Sequence, residues 1–161
     1  MRNKSFFKYL FFVAILGIVI SSCLKKKTYT PTPSIEFSEF VPYTDETADL
    51  KILFSDGDGD IGVNEGDSTV TLYTTYYYYD TVLLKYRAFL KTSPFDTLRT
   101  NYIVTAPSDA YKGKPISGEI SVNLQQYRHS KKIKKIKYVV YLLDKSGNKS
   151  NVITSPEIIV P

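Results

Sequence analysis

The chain is 161 residues long, with 21 Lys and Arg against 16 Asp and Glu, one cysteine, one histidine and no tryptophan. A lone cysteine excludes an internal disulfide framework, and a lone histidine leaves no second one for a zinc site. The length suits one ordinary domain with its own core.

In chain order, Arg2, Lys4 and Lys8 precede an apolar run from Tyr9 to Ile20 that carries no acidic residue. A basic start followed by about a dozen apolar residues is the pattern of a secretory signal peptide, and it is short of the roughly 20 needed to span a bilayer. Small residues at Ser21 and Ser22 then lead into Cys23. The segment Ile20, Ser21, Ser22, Cys23 resembles the lipobox of bacterial lipoproteins. That resemblance implies cleavage between Ser22 and Cys23, removal of residues 1–22 and acylation of Cys23. Several acyl chains, at about 0.8 kcal/mol per buried methylene, suffice for stable anchoring without a membrane span. The expected location is the bacterial cell envelope, lipid-anchored at the outer membrane, with the bilayer as partner through Cys23.

Without the three basic residues of the signal, 18 basic side chains face 16 acidic ones. So small an excess, in an exported chain, argues against nucleic-acid binding. Lys25, Lys26 and Lys27 follow the anchor, either as contacts to anionic headgroups or as a solvated tether. Residues 23–33, with Pro31 and Pro33 among threonines, read as a lipidated, extended linker.

From residue 34 to 161 the dominant pattern is period two. Leu50, Ile52 and Phe54 alternate with Asp49, Lys51 and Ser55, and Ile116, Ile120, Val122 and Leu124 with Ser117, Glu119, Ser121 and Asn123. Further strands are predicted at Ile35 to Val41, Thr69 to Tyr79, Thr81 to Lys91, Asn101 to Thr105, Ile136 to Asp144 and Val152 to Val160. No segment has a helical period. Short strands rich in Tyr, Ile, Val, Thr and Phe, separated by Gly, Pro, Asp and Asn, predict an all-β fold, an antiparallel β-sandwich forming one monomeric domain. Ile136 to Asp144, the turn Lys145, Ser146, Gly147, Asn148 and the return to Ile159 resemble the last hairpin of immunoglobulin-like and fibronectin type III domains. The tyrosine expected at the start of that strand is replaced by Ile136.

One segment carries site chemistry. Asp56, Asp58, Asp60, Glu65 and Asp67 lie within twelve residues, interleaved with Gly57, Gly59, Gly62 and Gly66. Crowded carboxylates repel unless water or a cation screens them, and hard oxygen ligands on glycine-permitted turns suit Ca²⁺. On the EF-hand pattern, Asp56, Asp58 and Asp60 take positions one, three and five, Gly62 offers a carbonyl at seven, and Asp67 falls at twelve. Ile61 at position six and the strand-like flanks exclude a true EF-hand and leave a strand-connecting calcium loop. The competing reading is a solvated acidic turn, since Asp and Gly are also the commonest turn formers.

In the run Tyr76, Tyr77, Tyr78, Tyr79, alternate rings face opposite ways, and Tyr76 and Tyr78 are the pair put forward for sugar or protein recognition. Otherwise the tyrosines fill a long strand. Lys131, Lys132, Lys134, Lys135 and Lys137 suit either an acidic partner or the protection of an edge strand. His129 stands in a polar stretch, so catalysis would have to rest on carboxylates or a serine, and none is expected.

The lipobox, the Asp56 to Gly62 segment, the Gly118, Glu119, Ile120 strand and the Leu143 to Asn151 ending together resemble a group of Gram-negative bacterial lipoproteins with no assigned activity. The resemblance implies fold and location. The function expected is a membrane-anchored, non-catalytic binding or accessory module that requires no cofactor, with Ca²⁺ as a stabilising ligand on the calcium-loop reading and an envelope protein or glycan as partner. The alternative is a carboxylate-dependent glycan hydrolase.

Overall fold

The computed structural model describes residues 29–90 and 97–161. The signal peptide, the cleavage site at Ser22 and Cys23, and the tether up to residue 28 lie outside the described residues. Those described are nearly all β, in antiparallel sheets, with one 3₁₀ turn at Asp109–Tyr111 and no helix long and apolar enough to cross a membrane.

Strands β1 (Ser34–Pro42), β2 (Ala48–Asp56) and β6 (Ile116–Leu124) form a three-stranded sheet with β2 in the centre. The second sheet runs β4 (Lys85–Ala88), β3 (Leu72–Asp80), β7 (Lys135–Leu142), β8 (Ile153–Thr154). The short β5 (Arg99–Tyr102) and β9 (Ile158–Ile159) lengthen its two flanks by pairing with β3 and β7. Each long strand supplies alternate residues to one core. Leu50 and Ile52 of β2 and Ile120, Val122 and Leu124 of β6 meet Leu72 and Tyr76 of β3 and Ile136, Tyr138, Val140 and Leu142 of β7. This is the expected sandwich: the long strands each contribute one apolar face because successive side chains point to opposite sides.

Three strands are shorter than their composition predicts. Thr81 to Leu84 form a turn, because the Asp80 carboxylate accepts the Val82 and Leu83 N–H groups at 2.9 and 3.0 Å and removes them from any ladder. The final strand is broken at Ser155 and Pro156, where proline has no N–H to give. The third strand starts at Leu72, after the loop that leaves the aspartates.

Tyr76 and Tyr78 face inward, against the expectation that they are the exposed pair. Tyr76 is 2% exposed and sits edge-on to Phe89, His129 and Tyr138; Tyr78 packs on the core against Phe89. Register decides this: Tyr76 and Tyr78 oppose Tyr138 and Ile136, both core residues of β7, so they share the buried face. Tyr77 and Tyr79 take the outer face, where Tyr79 meets Tyr86.

Register also fixes the two ends. Ser34 opposes Ser55, which opposes Ser117, Leu72 opposes Leu142, and Ile61 after β2 bridges to Asp144 after β7, so the start of β1, Asp56 and the end of β7 share one end. The β3–β4 turn stands at the other.

Candidate metal centre

Asp56 is the last residue of β2 and is 0% exposed. One of its oxygens, Oδ2, accepts the Asp60 N–H at 3.0 Å, folding Asp56 to Asp60 into a tight turn. Gly59 makes that turn possible. Its φ is +68°, and a side chain there would run into the Tyr111 and Lys114 carbonyls, the latter at 2.6 Å. Gly62, at φ +76°, passes the Val104 carbonyl so closely that a Cβ would lie 2.6 Å from it, and leads into the pairing of Val63 with Thr105. Both glycines are fixed by close backbone approach.

The turn meets a second acidic residue from far along the chain. Ile61 bridges to Asp144, the Lys145 N–H reaches the Asp60 carbonyl at 3.1 Å, and the Ser146 hydroxyl donates to Asp60 Oδ2 at 2.6 Å. These contacts bring one carboxylate oxygen each from Asp56, Asp60 and Asp144 within 4.8 Å of one another. Asp144 is itself buried and held by the Asn148 N–H and side-chain amide at 2.7 and 2.9 Å.

The electrostatics are unbalanced. Oδ1 of Asp56, of Asp58 and of Asp60 are all buried with no hydrogen-bond partner among the described residues. Burial pushes the Asp56 carboxyl up to about 6, opposed by the Asp60 N–H and reinforced by the charges of Asp58 and Asp60. A buried, unpaired carboxylate oxygen is costly, and three at one turn are the complement of a cation. Ca²⁺ binds oxygens at about 2.3–2.6 Å, so ligands on opposite sides of it stand up to about 5 Å apart, which accommodates this cluster. The donor set is entirely hard oxygen, as that ion requires.

Asp67, proposed above as a ligand at position twelve, is not in this gathering. Its Oδ1 accepts the Thr69 N–H and hydroxyl at 2.8 and 2.7 Å in an exposed turn, which holds its carboxyl below the usual range. Asp144 stands in the cluster instead. The signal that could have found it was the Asp144, Lys145, Ser146, Gly147, Asn148 turn, where a buried aspartate closes an alternating strand.

Compared with protein-family models, with curated proteins and with solved structures, the chain matches none.

Proposed function

We propose that this chain is a lipid-anchored cell-envelope protein whose single immunoglobulin-like sandwich is a non-catalytic binding or accessory module, closed at one end by Ca²⁺ on Asp56, Asp60 and Asp144. The observation that carries the metal reading is the fully buried Asp56 carboxylate, whose Oδ1 has no partner among the described residues and which ends a strand beside two further carboxylates. Asp58 adds a fourth acidic group with a buried, unpartnered oxygen. Carboxylates this enclosed suit a small ion better than a glycan, which disfavours the hydrolase.

The immunoglobulin-like type is supported by the division of strands. The first, second and sixth strands lie on one sheet and the third, seventh and last on the other, matching the A, B, E and C, F, G sets of such domains. The anchor is supported by the Ile20 to Cys23 pattern and by the lipoprotein resemblance.

Calorimetric titration of the chelator-treated protein with Ca²⁺ tests the reading. One ion per chain is expected, with no heat of binding in Asp144→Asn; no saturable heat in the wild type would overturn it. Intact mass of membrane-extracted protein tests the anchor. Residues 1–22 should be absent and acyl mass present on Cys23, and an unmodified Cys23 would refute it.

A further inference from the structure

The β3–β4 turn is the most exposed apolar feature described. Val82, Leu83 and Leu84 are 86%, 51% and 71% exposed and consecutive in sequence. Isolated surface aliphatics are ordinary, but three in a row on a protruding turn are not. Leu84 also has φ +51°, a left-handed conformation that is unfavourable for leucine. The turn is nonetheless held rigidly. Asp80 Oδ1 accepts the Val82 and Leu83 N–H groups, and its other oxygen is paired with Arg87 at 3.2 Å. Two unfavourable features thus coincide in a loop fixed so as to project them.

The collar of this turn is cationic and aromatic. Lys85 opposes Asp80, Lys134 precedes β7 at the same end, and the next residue, Lys135, sits over the Tyr79 ring at 5.6 Å. Lys137 lies 4.5 Å from the centre of the Tyr86 ring. Two acidic groups described among them are already paired, Asp80 with Arg87 and Glu157 with Lys135.

We propose that the Thr81–Leu84 tip is a docking surface for an anionic lipid bilayer. The tip is a strand-connecting turn with exposed aliphatic side chains in the turn itself, tyrosines on the strands behind them and lysines on the flank. That order matches the depth profile of a bilayer boundary: hydrocarbon, interfacial aromatic belt, charged headgroups. Lysine stems can lie along apolar surface while their ammonium groups meet phosphate. The tip and the start of β1 are at opposite ends of the sandwich, so docking is separate from anchoring. The eleven residues from Cys23 to Pro33 reach about 36–40 Å when extended, while a nine-residue strand spans about 30 Å. A tethered domain can therefore lay its tip on the leaflet that anchors it.

The absence of tryptophan allows a clean reporter in the full-length chain. Leu83→Trp is mixed with vesicles of brominated phosphatidylglycerol or brominated phosphatidylcholine, beside Val152→Trp as an exposed site away from the tip. The expected result is a blue shift and quenching of the Leu83→Trp indole with the anionic lipid only, weakened by salt and reduced roughly tenfold or more in apparent affinity by adding Leu84→Ser. Equal response to both lipids, an equal response from Val152→Trp, or none at all would overturn the proposal. So would a blue shift without lipid that grows with protein concentration, which assigns the tip to a second copy, or one produced by polyglutamate alone, which assigns it to an acidic protein. Unchanged melting of Leu83→Trp verifies that the reporter folds.

Discussion

Asp56 and Asp80 close neighbouring strands in sequence, β2 and β3, at opposite ends of the sandwich, and their surroundings differ in kind. The Asp80 carboxylate receives two backbone N–H groups and Arg87, and the Leu83 N–H foremost holds its carboxyl below the ordinary range. The Asp56 carboxylate receives one N–H, is buried, and faces the charges of Asp58 and Asp60, which leaves its carboxyl raised. A turn whose aspartate is supplied with donors is complete in itself. A turn whose aspartates face one another lacks those donors, and the proposed cation completes it. The backbones differ as well: Gly59 and Gly62 take positive φ at the carboxylate end, while Leu84 does so at the tip.

The largest effect should come from the backbone at the carboxylate end. Gly59→Val puts a branched side chain at φ +68° against two carbonyls, and a loss of several kcal/mol is expected, seen as the absence of a cooperative thermal transition. Retention of a wild-type melt would break the claim that this turn is held by close approach.

Acid and base should act oppositely on the two aspartates. In chelator, the raised Asp56 carboxyl makes the folded state bind more protons than the unfolded one between about 4 and 6. Its contribution is therefore best below that window and is lost as pH rises through it, and Asp56→Asn should remove this fall. The lowered Asp80 carboxyl works the other way, stabilising above the ordinary carboxylate range and losing that as pH drops. Asp80→Asn should flatten the acid limb only. Melting temperatures of both variants across acidic pH test the pair, and the same profile for both would erase the distinction.

The smallest effect is expected at the tip. Leu84→Gly relieves the positive φ and removes exposed apolar surface, so the melting temperature should stay level or rise slightly, a stabilisation on the order of 1 kcal/mol or less. A clear drop in melting temperature would mean that Leu84 packs on something in the folded chain.

The strands with strict alternation, β2, β6 and β7, were legible in the sequence, because a period of two with one apolar face has few other solutions. The turn at Thr81 was not, since Thr81, Val82, Leu83 and Leu84 have strand-like composition and only the Asp80 side chain diverts their backbone. The orientation of Tyr76 was equally hidden. Four tyrosines in a row are symmetric between two faces, and the choice came from Tyr138 and Ile136 on the neighbouring strand. Half of the proposed metal centre was legible as the spacing of Asp56, Asp58 and Asp60. Asp144 was not, because nothing in a local spacing says that the turn after β7 folds onto the turn after β2, and Asp67 was given a place that its bond to Thr69 denies it.

The central claim is tested most directly by thermal melts of the wild type and of Asp144→Asn in EDTA, in millimolar calcium and in millimolar magnesium. An ion bound only by the folded state stabilises it by RT ln(1 + [L]/Kd), so calcium should raise the wild-type melting temperature by a few degrees, a stabilisation on the order of 1–2 kcal/mol. Magnesium, which demands near-octahedral geometry and sheds water reluctantly, should do less, and Asp144→Asn should not respond to calcium. Identical wild-type melting in all three solutions, or a calcium shift that survives Asp144→Asn, would contradict a cation held between Asp56, Asp60 and Asp144.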